Sequence, residues 1–309
     1  MSPWRAGSPG AHAQPKLGVQ GAECARLMGM ACVLCGSMDN PTDEDVIPKW
    51  LLRAFAVERG STTVNVREES GSPQEVRKLR HFQITLDGGL CQKCNNELLG
   101  GLEQVVQPIL EPMAVRYEST ALDLASQRLL AGWAVKTVYL LELASRQQYP
   151  GARPVEGYQP SNSEIGWLLA QLEQRPAKLI EPPPRSMVWL AGWDCKKADV
   201  ANRASTLNYA PSTAPVPTVD GGEVVGQFTT LAIGFAAFQV FTVDYVEADV
   251  RKAKVWNPGP PNNIANAIRQ IWPHRLRADD VTWPLPIFFP NDSFDQLVNW
   301  AGALRRGGA

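Results

Sequence analysis

The chain has 309 residues, of which 44% are apolar, and a formal net charge of -1, so it has material for a substantial core and room for two domains. That charge balance excludes a globally basic nucleic-acid binder, and any phosphate-binding surface has to be local. The longest apolar runs, 129–144 with Lys136 and Glu142 inside it and 231–243, fall short of the ~20 residues that span a bilayer, which predicts a cytoplasmic protein with no membrane partner.

Ser2 to Gln20 is rich in Gly, Pro, Ala and Ser and lacks the apolar stretch of a secretory signal, so residues 1–29 are expected to form a disordered extension, with Met28 and Met30 as natural starts of the folded unit. Cys32-Val33-Leu34-Cys35 and Cys91-Gln92-Lys93-Cys94 then frame the first folded segment. Each two-residue spacer lets both sulfurs of a pair face one ion, so Cys32, Cys35, Cys91 and Cys94 have the spacing of a structural Zn²⁺ site. Cys24 and Cys195 have no short-range partner and read as free cysteines.

Between the pairs, Pro48 to Phe55 predicts a short helix opened by proline, with Leu51 and Phe55 one turn apart. Arg80 to Leu86 alternates, with Phe82, Ile84 and Leu86 on one face and His81, Gln83 and Thr85 on the other, and predicts a half-buried strand. Asp87-Gly88-Gly89 is expected to turn the chain into the second pair. Asn95 is a candidate N-cap for a helix with a stripe of Leu98, Leu102, Val105 and Ile109, disturbed at Pro108 and Pro112.

Leu122 to Ala144 carries Leu130, Ala134, Val138 and Leu141 at helical spacing and predicts a central buried helix. A loop over Pro150 to Pro160 and a short helix over Ser163 to Gln174 follow. Met187 to Trp193, Val224 to Ile233 and Ala237 to Val246 read as strands, and Asp292 to Arg305 as a last helix. Trp272-Pro273 and Trp283-Pro284 lie among balanced charges, which favours packing over base stacking. Arg77, Lys78 and Arg80, and Arg251, Lys252 and Lys254, are either local phosphate contacts or solvated faces.

The order of C-x-x-C, an acidic residue with Val46-Ile47-Pro48-Lys49-Trp50-Leu51, and C-x-x-C-Asn95-Asn96 before a helix resembles the zinc-stapled HNH endonuclease superfamily. It is similar in particular to bacterial, often actinobacterial, HNH-like proteins that read EHVIPKWL and CxxCNN at these places. The resemblance covers about residues 30–112, and a weaker likeness continues through 133–137 and 229–234. It implies a ββα-metal nuclease in which a histidine ending the first strand is the general base and one Mg²⁺ or Mn²⁺ steadies the scissile phosphate of DNA or RNA. By position, Glu44 and Asn95 would help to arrange that cation, with zinc kept apart in a structural role.

Asp45 stands where that pattern has its histidine. It would then bind the cation or act as a weak base, and His81 is the outside candidate for the missing imidazole. Read without the resemblance, Glu44 and Asp45 are solvated acids ahead of a helix, and Asn95 is a cap. The expected fold is α+β, a zinc-stapled ββα-metal-like module at 30–112 followed by a larger domain at 113–309 of helices packed on an antiparallel sheet. The expected function is an HNH-like, divalent-metal-dependent endonuclease, with a catalytically inactive zinc module for nucleic-acid or protein binding as the alternative, and an unrelated activity of the larger domain as a third.

Overall fold

The computed structural model describes residues 31–55, 62–63, 78–79, 85–148, 168–173, 180–183, 186–194, 207–217, 223–243, 267–273 and 280–290. His81, Cys24, Cys195, residues 1–29, the loop at 150–160, the basic run at 251–254 and the helix expected over 292–305 lie outside them.

Strand β1 (Pro41–Asp45) pairs antiparallel with β4 (Thr85–Cys91). Between them in sequence come helix α1 (Lys49–Ala54) and the two-residue strands β2 (Thr62–Thr63) and β3 (Lys78–Leu79), which pair with each other. Asp87-Gly88-Gly89 does not turn the chain ahead of the second cysteine pair, as its composition suggested. It lies within β4 as a bulge, because the register passes from Thr42 opposite Leu90 to Glu44 opposite Leu86. Gly88 has φ +61°, and its N–H donates to Asp43 Oδ1 at 2.9 Å. A Cβ on Gly89 would meet the Leu86 side chain 2.3 Å away, so both glycines are required by the bulge.

The second cysteine pair opens a π-helical turn, Lys93–Leu99, which runs straight into α2 (Gly100–Ala114). Asn95 is therefore inside the first turn and is not an N-cap. The fully buried face is Leu99, Leu102, Val106, Leu110 and Met113, whereas Leu98, Val105 and Ile109 only border the core. Adjacent apolar pairs at 105/106 and 109/110 leave periodicity unable to choose between them. Pro108 and Pro112 sit inside the helix without ending it. Each proline costs about 3 kcal/mol in a helix interior, which five side chains, each gaining about 2 kcal/mol by burial, offset.

After β5 (Thr120–Leu122), Asp123 opens α3 (Leu124–Gln148) by accepting the Ser126 N–H at 2.7 Å. Leu122 thus ends a strand and does not start the helix. From Leu129 to Leu141 nearly every α3 residue is buried, so this is the central helix its spacing predicts.

A six-stranded sheet lies against it: β6 (Met187–Asp194), β7 (Leu207–Pro217), β8 (Glu223–Ile233), β9 (Ala236–Val243), β10 (Ile268–Trp272) and β12 (Phe288–Pro290). The order is β10-β6-β9-β8-β7, antiparallel throughout, with β12 added parallel to β6. Strand β11 (Val281–Trp283) pairs with β5. Pro211, Pro215 and Pro217 hid β7 from a propensity reading, yet all three fall on alternate positions of an edge strand, where a missing N–H breaks no ladder bond.

One hydrophobic cluster runs from Leu34, Val46 and Leu51 through Leu130 and Trp133 to Leu231, Phe238 and Ile271. Trp283 lies inside it and Trp272 packs against it, so both tryptophans of the Trp-Pro pairs are packing residues. The mixed α+β class is as expected.

Candidate metal centre and the charged cluster behind it

The bulge in β4 positions the first cysteine pair. Gly89 O accepts the Val33 N–H at 2.9 Å, and Asn40 O accepts the Gln92 N–H at 3.0 Å, so the loop bearing Cys32 and Cys35 is laced to the strand that ends at Cys91. Within the loop Cys32 O accepts the Gly36 N–H at 2.8 Å, and Gly36 takes φ +73° to close the knuckle. The sulfurs of Cys32, Cys35, Cys91 and Cys94 all lie within 4.8 Å of one another. Cys35 Sγ and Cys91 Sγ are 3.6 Å apart. That is far beyond a disulfide bond and near the ~3.8 Å edge of a tetrahedron with Zn–S of about 2.3 Å.

Cys32, Cys91 and Cys94 are buried, and Cys35 reaches solvent. Burial works against ionising Cys32, yet hydrogen bonds from the backbone of Cys35, Cys91 and Leu34 outweigh it and bring the thiol down to about 7. Cys94 moves the other way, raised first by burial and then by the thiols of Cys35 and Cys91 beside it. Four thiols so close cannot all ionise alone. A dication allows it, and the donor set fits a soft tetrahedral ion such as zinc.

Three other candidate residues, Asp45, Asn95 and Glu44, fall within the described structure. Asp45 ends β1 and forms an ion pair with Lys49 at 2.9 Å. Asn95 Nδ2 donates to Thr42 Oγ1 at 2.9 Å and to the Asp43 carbonyl at 3.2 Å, which ties the π-turn to β1. Glu44 points inward and is 6% exposed. Among the described residues the four cysteines are the one group of three or more His, Cys, Asp or Glu side chains spaced to hold a metal. Glu44, Asp45 and Asn95 are not part of that group.

Glu44 instead belongs to a buried charged cluster. Lys136, on α3, has no exposure, and its Nζ donates to Glu103 Oε1 of α2 at 2.8 Å. Burial raises the Glu44 carboxyl to about 7, against the pull of Lys136 and with further upward pushes from Glu103 and Asp45. Sequence reasoning treated Lys136 as an interruption of an apolar run. A lysine flanked on both sides by residues that become buried has to find an anion, and that was the available signal.

The raised Glu44 pKa predicts a pH-dependent stability. A carboxyl near 4.5 when unfolded and about 7 when folded favours the native state below pH 4.5, and that contribution is lost as pH rises through 7. The full span corresponds to about 3 kcal/mol, of which about 2 kcal/mol falls between pH 5.5 and pH 8. Urea melts of wild type and Glu44→Gln across that window should diverge accordingly, with wild type losing ground as pH increases. Effects of pH on the cysteine cluster cancel in the difference, so a flat difference would refute the assignment.

Comparison with known proteins finds no matching family model, no matching curated protein and no matching solved structure.

Proposed function

We propose that residues 30–112 are an HNH-like zinc module that has lost cleavage and serves as a binding module, with nucleic acid as the first partner class to test. The observation that carries this reading is Asp45. It occupies the end of β1, where the resembling pattern has its general base, and it is held in an ion pair 2.9 Å from Lys49. A carboxylate is a much weaker base than imidazole at neutral pH. The Asp45 partner also raises the Lys49 ammonium, first through their hydrogen bond and then through charge.

The topology supports the HNH-like part of the reading. Two antiparallel strands, β1 and β4, are followed by a helix, with one cysteine pair before β1 and the other at the junction of β4 and the helix. Zinc held by Cys32, Cys35, Cys91 and Cys94 supplies the fold of the module and no chemistry toward a phosphodiester.

The test incubates zinc-loaded protein with single- and double-stranded DNA and with RNA in the presence of Mg²⁺ or Mn²⁺, and measures binding by fluorescence anisotropy. Intact substrates, with or without Asp45→Ala, are expected, together with salt-sensitive binding to at least one polymer. Cleavage by wild type that disappears in Asp45→Ala would overturn the reading. Intact substrates with no binding would move the partner class from nucleic acid to protein.

A further inference from the structure

The four sulfurs of the cysteine cluster are not equally protected. Cys32, Cys91 and Cys94 are buried, whereas Cys35 reaches solvent, and the chain beyond it is open as well, with Gly36, Met38, Asp39 and Asn40 all exposed. A small oxidant therefore meets the cluster at Cys35 Sγ first. Cys91 Sγ lies 3.6 Å from it. The Val33 N–H bond to Gly89 O and the Gln92 N–H bond to Asn40 O hold the loop and the end of β4 side by side, so closing these two sulfurs to the ~2 Å of a disulfide is a side-chain movement. A cysteine held by a dication is a thiolate, and the thiolate is the form that a hydroperoxide oxidises.

We propose that Cys35 and Cys91 form a hydroperoxide-responsive pair, in which Cys35 is oxidised and Cys91 resolves it, so that the module gives up its metal on oxidation and regains it on reduction. The inference rests on the zinc reading of the four cysteines and is independent of the partner class. Cys35 Sγ attacks one peroxide oxygen; an S–O bond forms, the O–O bond breaks, and the leaving alkoxide or hydroxide takes a proton from water. Cys91 Sγ then attacks Cys35 Sγ; an S–S bond forms, the S–O bond breaks, and hydroxide leaves and is protonated to water. Two thiolates, the hydroperoxide and two protons thus become a disulfide, an alcohol (or water) and a water. Cys32 and Cys94 remain, and two thiolates cannot complete the tetrahedron of structural zinc.

Zinc-loaded wild type treated with hydrogen peroxide tests this, with released metal followed by a chromogenic chelator and disulfides located by peptide mapping, which separates them from any oxidation at Cys24 or Cys195. Zinc should be released in step with a Cys35–Cys91 disulfide, and a phosphine reductant with added zinc should restore the metal content. Dimedone, which captures a sulfenic acid, should label Cys35 when peroxide is limiting and suppress the disulfide. Cys35→Ser should release zinc about tenfold more slowly than wild type at equal peroxide, because the thiolates left are buried. If Cys35→Ser holds no zinc, the dimedone map of wild type decides alone. A first label at Cys32, Cys91 or Cys94, a disulfide other than Cys35–Cys91, or a disulfide formed with the metal retained overturns the proposal. Zinc-loaded protein that resists peroxide overturns it while leaving the metal reading intact, whereas protein that never takes up zinc overturns the metal reading and this proposal with it.

Discussion

Stripping the metal from the cysteine cluster, by a strong chelator or by Cys91→Ser, should unfold the β1–β4 pair and the loop before it. A metal ion bound by the four cysteines would tie together segments 56 residues apart, at Cys35 and Cys91. Among the described residues the other ties are the β1–β4 ladder, the Val33 and Gln92 backbone bonds, the Asn95 contacts and part of the common core. Without a dication the buried thiols revert to neutral groups packed against one another, and Cys94 in particular resists ionisation. Structural zinc contributes on the order of 10 kcal/mol or more to folding of comparable sites, more than the net stability of most domains. Hydrogen exchange locates the loss. The amides of Val33, Gly36 and Gln92 should exchange quickly after chelation, while those of α3 stay protected because that helix is buried in its own right. Unchanged protection at Val33 and Gln92, with an unchanged melting temperature, would show that the cluster bears no structural load. Cys91→Ser should be as damaging as chelation, because a buried hydroxyl is a poor zinc ligand and cannot complete the tetrahedron.

What the sequence disclosed follows from how local each signal is. The cysteine cluster was legible because two identical spacers encode ligand geometry within four residues each. The central helix was legible because Leu130, Ala134, Val138 and Leu141 repeat at one period, and all four are buried. Strand β1 was not, since four of the five residues of Pro-Thr-Asp-Glu-Asp are disfavoured in strands and only Glu44 is buried. Its strand conformation is imposed by the ladder with β4, whose partner residues lie 40 to 50 positions away, from Asp45 with Thr85 to Pro41 with Cys91. The edge strand β7 was masked by its prolines, which are tolerated because, among the described residues, β8 is its sole ladder partner. The charged cluster was the least legible part. Glu44, Glu103 and Lys136 are each ordinary alone, and their meeting depends on the packing of α2 against α3 and of α3 against β4, the strand paired with β1. Candidate metal ligands can be read from spacing, whereas the partner that neutralises a buried charge is fixed by tertiary structure.

Gly234→Ala should be among the most damaging single substitutions in the sheet, at a position with no chemistry. Gly234 and Phe235 form the two-residue loop joining β8 to β9, and Gly234 takes φ +54°, a conformation that costs an alanine roughly 1–2 kcal/mol. Space is the larger problem. A Cβ there would lie 1.9 Å from the Ala114 carbonyl oxygen and 2.8 Å from two ring carbons of Phe55. The oxygen is backbone at the end of α2 and cannot rotate away, so the loop has to withdraw. Withdrawal breaks the Phe235 N–H bond to Ala114 O at 2.9 Å and strains the Trp193 N–H bond to Phe235 O at 2.8 Å. It also separates the sheet from the C-terminal end of α2. Strain, overpacking and a lost buried hydrogen bond together come to about 4 kcal/mol. Gly101→Ala is the control: it lies in α2 with nothing within 4 Å of its Cβ, and it should stabilise by roughly 0.5–1 kcal/mol. Urea melts of the two variants should move in opposite directions from wild type. A Gly234→Ala protein within 1 kcal/mol of wild type, by ordinary surface-substitution standards, would mean that the hairpin does not dock on Ala114 and that the sheet is held to α2 by other contacts.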